Sequence, residues 1–137
     1  MKEKITMPIW IGHPNPVTAT VVMTAGKLDR KAKVVFTRGH CHSLALAVHK
    51  LTGWQIYGLA DDEGDYIHIM VKTPKGYLDV MGLEADRRWM NLWKVEFTIK
   101  SIDPSMISHL DGFMRPQTKK ANTFAVSLIK KYFPKLL

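Results

Sequence analysis

The chain has 137 residues, 46% of them hydrophobic, which is enough for one domain with a packed core and too few for two ordinary domains. Its single cysteine, Cys41, excludes an internal disulfide and a four-cysteine zinc site, and fits a reducing compartment. Twenty Lys and Arg against twelve Asp and Glu give a formal charge of +8, a bias toward acidic proteins, nucleic acid or anionic surfaces that names none of them.

The longest uncharged run, Ile5 to Gly26, does not read as a membrane span, because Pro8, His13, Pro14, Asn15, Pro16 and several threonines interrupt it. Lys2 and Lys4 precede an apolar segment too short and too proline-broken for a signal peptide, so a cytoplasmic protein without membrane contact is expected. Val17 to Met23 and Lys33 to Thr37 are rich in Val and Thr and read as strands, although a helix from Leu28 would also fit. Between and beside them, Lys27, Arg30, Lys31, Lys33 and Arg38 could hold phosphate. A solvated basic loop is the commoner meaning of such a run.

A helix is predicted to open at Cys41, because Cys41, Leu44, Ala45, Val48 and Leu51 recur on one apolar stripe. Gly39 allows close backbone approach before it, and Thr52-Gly53 ends it with a residue suited to the left-handed conformation. Trp54 then starts an extended segment. Tyr66 to Lys72 and Tyr77 to Met81 alternate on either side of Thr73-Pro74-Lys75-Gly76, which predicts a hairpin whose paired residues sum to 149. That register makes His68 and Asp79 diagonal neighbours on one face, with Tyr66 and Met70 beside His68 and with Ile67, Ile69 and Val71 opposite.

After the hairpin, Glu84 to Leu92 reads as a short helix carrying Trp89 and Met90 inward, and Lys94 to Ile102 as a strand with Val95, Phe97 and Ile99 on one face. Asp103-Pro104 starts a further helix, which Asp111-Gly112 ends. The last helix carries the stripe Ala121, Phe124, Ala125, Leu128, Ile129 and Tyr132, and Pro134 is expected to stop it. The fold class expected is therefore α+β, one domain over residues 1 to 137, with a central helix packed on an antiparallel sheet.

A thiol in a first helical turn meets the positive end of the helix dipole, which favours thiolate below the ~8.5 of free cysteine. With a histidine as base and a carboxylate to orient it, Cys41, His68 and Asp79 form the nucleophile, base and orienter set of thiol acyl transfer. Taken alone, each of the three would be an ordinary core cysteine, strand histidine or turn-proximal acid. His40, His42 and His49 raise the question of a metal, but His42 and His49 stand seven apart, about 10 Å along a helix, which argues against zinc. No metal and no cofactor is expected.

The order Cys, His, Asp, with Cys opening a helix and the other two on following antiparallel strands, resembles the papain-like superfamily in its transglutaminase-like form. Gly39-x-Cys41-x-x-Leu44-Ala45, Thr52-Gly53-Trp54, His68 on a strand, and Pro74-x-Gly76 with Leu78-Asp79-Val80-x-Gly82 resemble small stand-alone papain-like proteins of bacteria and their phages, over roughly a third of the chain. The resemblance implies a papain-like core and peptidase or amidase chemistry at Cys41, His68 and Asp79. Papain-like peptidases usually carry a Gln upstream of the cysteine as an oxyanion donor, whereas Gln55 and Gln117 both lie downstream here. The donors expected instead are the backbone N–H groups of Cys41 and His42. Trp54, Tyr66 and Met70 are expected as cleft wall, and a protein or peptide substrate, acidic if the net charge steers it, as partner. Transglutaminase and glutamine-deamidase chemistry would use the same triad. A basic binding module for nucleic acid or an acidic protein is the rival class.

Overall fold

The computed structural model describes residues 3–11, 17–93, 97–109 and 119–136. Its architecture is α+β, with a two-stranded and a five-stranded antiparallel sheet and helices on both sides of the larger one. The first sheet pairs β1 (Lys4–Ile11) with β2 (Val17–Thr24). The expected strand at 17 to 23 is there, but Lys33 to Thr37 is not a strand. Those residues belong to α1 (Arg30–Val35) and its end, because Asp29 caps the helix by accepting Ala32 N–H at 3.0 Å. Ala32, Val35 and Phe36 are thereby buried in the main core.

The central helix α2 (Cys41–Thr52) begins at the cysteine and ends at Gly53, whose φ of 76° is the left-handed cap the sequence predicts. Leu51 departs from the expected apolar stripe and is exposed. The large sheet follows with β3 (Ile56–Ala60), β4 (Tyr66–Thr73), β5 (Gly76–Asp79) and β6 (Gly82–Leu83), and after α3 (Ala85–Trp93) it gains β7 (Thr98–Ile102). The spatial order is β6-β5-β4-β3-β7, with every pair antiparallel. Lys94 and Val95 of the expected strand lie outside the described residues.

The hairpin register is the one the turn predicts: Val71 faces Leu78, Lys72 faces Tyr77 and Thr73 faces Gly76, each pair summing to 149. Alternation fails nearer the start of β4, where a bulge sets Leu59 opposite His68 and Ala60 opposite Tyr66, leaving Ile67 over. Ile67 therefore joins His68's side of the sheet, with Leu59 and Met70, and Tyr66 goes to the other side. Both placements are the reverse of the sequence expectation, since one extra residue resets a period of two.

One face of the sheet carries the main core of α2 and the last helix, α4 (Lys119–Leu136), built on Ile69, Val71, Leu44, Val48, Phe124 and Leu128. The other face carries a smaller cluster of Leu59, Ile67, Met70, Ala85 and Phe97, with Trp89 and Met90 of α3 packed against it. The predicted helix after Asp103 is a 3-10 helix, Pro104–His109, and its expected end at Asp111-Gly112 lies outside the described residues. α4 runs past Pro134 to Leu136 rather than stopping there. Tyr132 and Phe133 still pack on the core in that last turn, Phe133 against Trp54, which holds the helix together beyond the expected stop.

Candidate thiol site

Cys41 is placed by the sharp reversal from α1 into α2. Gly39 takes φ of 130° in that reversal, a conformation that favours glycine. Strand β1 braces the junction from outside, since Trp10 N–H donates to Arg38 O at 2.9 Å and His40 Nε2 donates to Pro8 O at 2.7 Å. His40, the residue before the helix, makes no side-chain cap, and the first turn holds no acidic residue. The backbone N–H groups of Cys41 and His42 lie in this first turn, and His42 is itself buried.

The sulfur is tied to the sheet. Lys72 N–H donates to Gln55 O on the β3 side at 2.9 Å, and amides alternate along a strand, so Ile69 N–H points toward the β5 side. The β4–β5 ladder ends at Val71 and Leu78, and Cys41 Sγ accepts Ile69 N–H at 3.2 Å where a further strand residue would otherwise pair. Helix and strand edge therefore meet at the thiol.

His68 and Asp79 meet as the register requires. His68 Nε2 donates to Asp79 Oδ2 at 2.8 Å, and the ionised carboxylate, which can only accept, fixes the proton on Nε2 and leaves Nδ1 toward the thiol. Cys41, His68 and Asp79 are 2%, 0% and 4% exposed. Burial would lower the His68 pKa, but the charge of Cys41, the hydrogen bond to Asp79 and hydrogen bonding to Cys41 outweigh it and raise the imidazole from 6.5 to about 9. Nδ1 makes no contact that meets full hydrogen-bond geometry, although the thiol lies close enough to act on the ring by charge and hydrogen bonding.

Asp79 is held from behind. Its Oδ1 accepts Met81 N–H at 2.8 Å and Arg88 Nη2 at 2.5 Å, while Arg88 also donates to Leu83 O at 2.5 Å and Gly82 O at 3.2 Å. Burial alone would raise the Asp79 pKa, but its hydrogen bond and ion pair with His68, the Arg88 guanidinium and the Met81 amide hold it below the ordinary carboxylate value. Arg88 reaches this place because β6 is two residues long and Glu84, at φ of 65°, turns the chain directly into α3. Trp89, the next residue, stacks on the His68 ring with centroids 4.4 Å apart and planes 21° from parallel.

The structure thus brings Cys41, His68 and Asp79 together. Of the residues expected as cleft wall, Met70 shares His68's face of the sheet, and Trp54 and Tyr66 pack on the other core. Trp54 stands past the far end of α2, about 18 Å along the axis from Cys41, against Phe133. The bulge sends Tyr66 to the opposite core across Gly58, and Met70 is fully buried beneath the sheet. The aromatic ring in contact with His68 is that of Trp89. Arg88 and the Ile69 amide were not legible in the sequence, since an Arg on a short amphipathic helix reads as solvent-facing and a strand amide carries no residue signature. Among the described residues no group of three or more His, Cys, Asp or Glu is placed to hold a metal ion, and no helix is long and apolar enough to cross a membrane. Comparison of the chain with known protein families, with curated proteins and with solved structures finds no match.

Proposed function

We propose that the chain is a papain-like, transglutaminase-like thiol enzyme that transfers acyl groups, with hydrolysis of a peptide, isopeptide or other amide bond as its reaction. The observation that carries this reading is one buried imidazole, bonded to Asp79 through Nε2 and coupled to the thiol of Cys41 at a helix N-terminus. Cys41 gives its proton to His68 Nδ1, and the sulfur attacks the substrate carbonyl carbon to form a tetrahedral oxyanion near the first-turn N–H groups of α2. The C–N bond then breaks, and His68 returns the proton to the leaving amine. Water, deprotonated by the same imidazole, hydrolyses the thioester and frees the sulfur. Asp79 keeps the imidazole in the required tautomer and stabilises its charged form. An amine in place of water would give transamidation by the same residues.

The test is the rate of Cys41 alkylation by iodoacetamide at pH about 7, where a free thiol near ~8.5 is mostly protonated. Wild-type protein should react faster than free cysteine, and His68→Ala should slow the reaction strongly while leaving the circular dichroism spectrum unchanged. A rate equal to that of free cysteine and indifferent to His68→Ala would overturn the proposal.

A further inference from the structure

The excess positive charge is not spread over the molecule. Residues 26 to 38 and 119 to 136 hold ten of the twenty Lys and Arg but one of the twelve Asp and Glu, so these two segments carry +9 and the rest of the chain −1. The fold joins them, because Lys131 Nζ of α4 donates to Gly26 O at the start of the α1 segment, at 3.3 Å. Lys27, Arg30, Lys31, Lys119, Lys131 and Lys135 are all exposed. The one carboxylate, Asp29, is already committed as the cap of α1. Lys131 and Lys135 share the Tyr132 ring, with their ammonium groups 5.2 and 5.8 Å from its centroid. Like charges gathered side by side raise a positive potential that an external anion relieves.

We infer that this α1/α4 face binds the phosphate backbone of nucleic acid. Lys131 and Lys135 stand about one turn apart on α4, beside the Gly26 end of the segment that carries Lys27, Arg30 and Lys31. Duplex nucleic acid carries one negative charge per ~1.7 Å of its axis, a denser anion than an acidic peptide, whose side chains come at most one per ~3.3 Å of chain. The groups are mostly lysines, which neutralise phosphates as point charges rather than reading base edges. Binding is therefore electrostatic and independent of base sequence. It does not involve the thiol site.

The experiment is fluorescence anisotropy of a labelled random-sequence duplex of ~20 base pairs, titrated with the full chain from about 50 to about 200 mM NaCl. Each phosphate contact contributes about −0.9 to the slope of log affinity against log salt. Lys31→Gln with Lys131→Gln should flatten that slope by about 2 and weaken binding at least about tenfold at the lower salt. Lys75→Gln with Lys100→Gln, the same charge change at exposed positions on the hairpin and on β7, should change affinity less than about twofold, and Cys41→Ala not at all. Equal losses from the two lysine pairs would show a whole-molecule charge effect and overturn the assignment, as would absence of binding at the lower salt. Competition by polyglutamate as effective as by duplex at equal charge would overturn it in favour of an acidic protein partner.

Discussion

His68 is constrained from three directions, by Asp79 on Nε2, by Trp89 on its face and by Cys41 through charge. The Cys41 charge is the largest influence that raises its pKa, so Cys41→Ala should bring the imidazole titration down from about 9, as read by the His68 ring resonances in an NMR pH series. The folded value lies above the ordinary 6.5. Protonated His68 therefore stabilises the fold in full below pH 6.5, and that contribution is lost as the pH rises toward 9. The wild-type melting temperature should fall across that window more than that of Cys41→Ala. Arg88 is a positioning residue in this scheme, since it touches Asp79 and the carbonyls of β6 but not the imidazole. Arg88→Ala should lower the alkylation rate or kcat by up to roughly a hundredfold, because Asp79 then loses its fixed orientation. Arg88→Lys, which keeps charge but cannot span three acceptors, should recover part of the loss. The three central residues were legible because their chemistry is tied to residue type. Arg88 was not, because its contact depends on a short β6 and a positive φ at a non-glycine residue.

The hairpin and the bulge show where element-level reading succeeds and fails. Pro74 and Gly76 bracket a short turn, so the register that joins His68 to Asp79 follows from local chemistry. The bulge beside Leu59 has no such residue signature, and it exchanged the faces of Tyr66 and Ile67. Gly58 is the element's adaptation to that exchange. A Cβ there would lie 2.4 Å from Tyr66 Cδ1, 2.6 Å from Tyr66 Cε1 and 2.8 Å from Ile102 Cδ1, all too close. Gly58→Ala should therefore destabilise the protein by about 1–3 kcal/mol in urea unfolding, by overpacking rather than by loss of contacts. The α1 segment was misread for a related reason. Val34, Val35 and Thr37 have strand propensity, but an Asp29 cap and burial of Ala32, Val35 and Phe36 decide for helix.

At the scale of the whole molecule, the thiol site lies at the seam between the two cores, with α2 and α4 packed on one face of the sheet and α3 on the other. Neither helical layer touches both halves of the site alone: α2 carries the sulfur, and α3 carries Arg88 and Trp89. The alternating and 3.6-residue patterns predicted both layers, but which layer met which residue depended on strand order, which no local pattern encodes. The α4 layer is held mainly by its apolar stripe, so Leu128→Ala should cost about 2–5 kcal/mol by opening a cavity beside α2, measurable as a lower urea midpoint at unchanged m-value.

The Ile69 amide gives the site a built-in reporter. A thiol or thiolate accepts its hydrogen bond at 3.2 Å, but a sulfur esterified to an acyl group has its lone pairs drawn toward the carbonyl and is a poorer acceptor. Acylation should therefore loosen one amide in the middle of a buried strand. A 15N-labelled protein treated with a slowly hydrolysed acyl donor should show the Ile69 cross-peak move upfield in the proton dimension and exchange with deuterium sooner, then return as the thioester turns over. That resonance would time the lifetime of the intermediate without knowledge of the natural substrate.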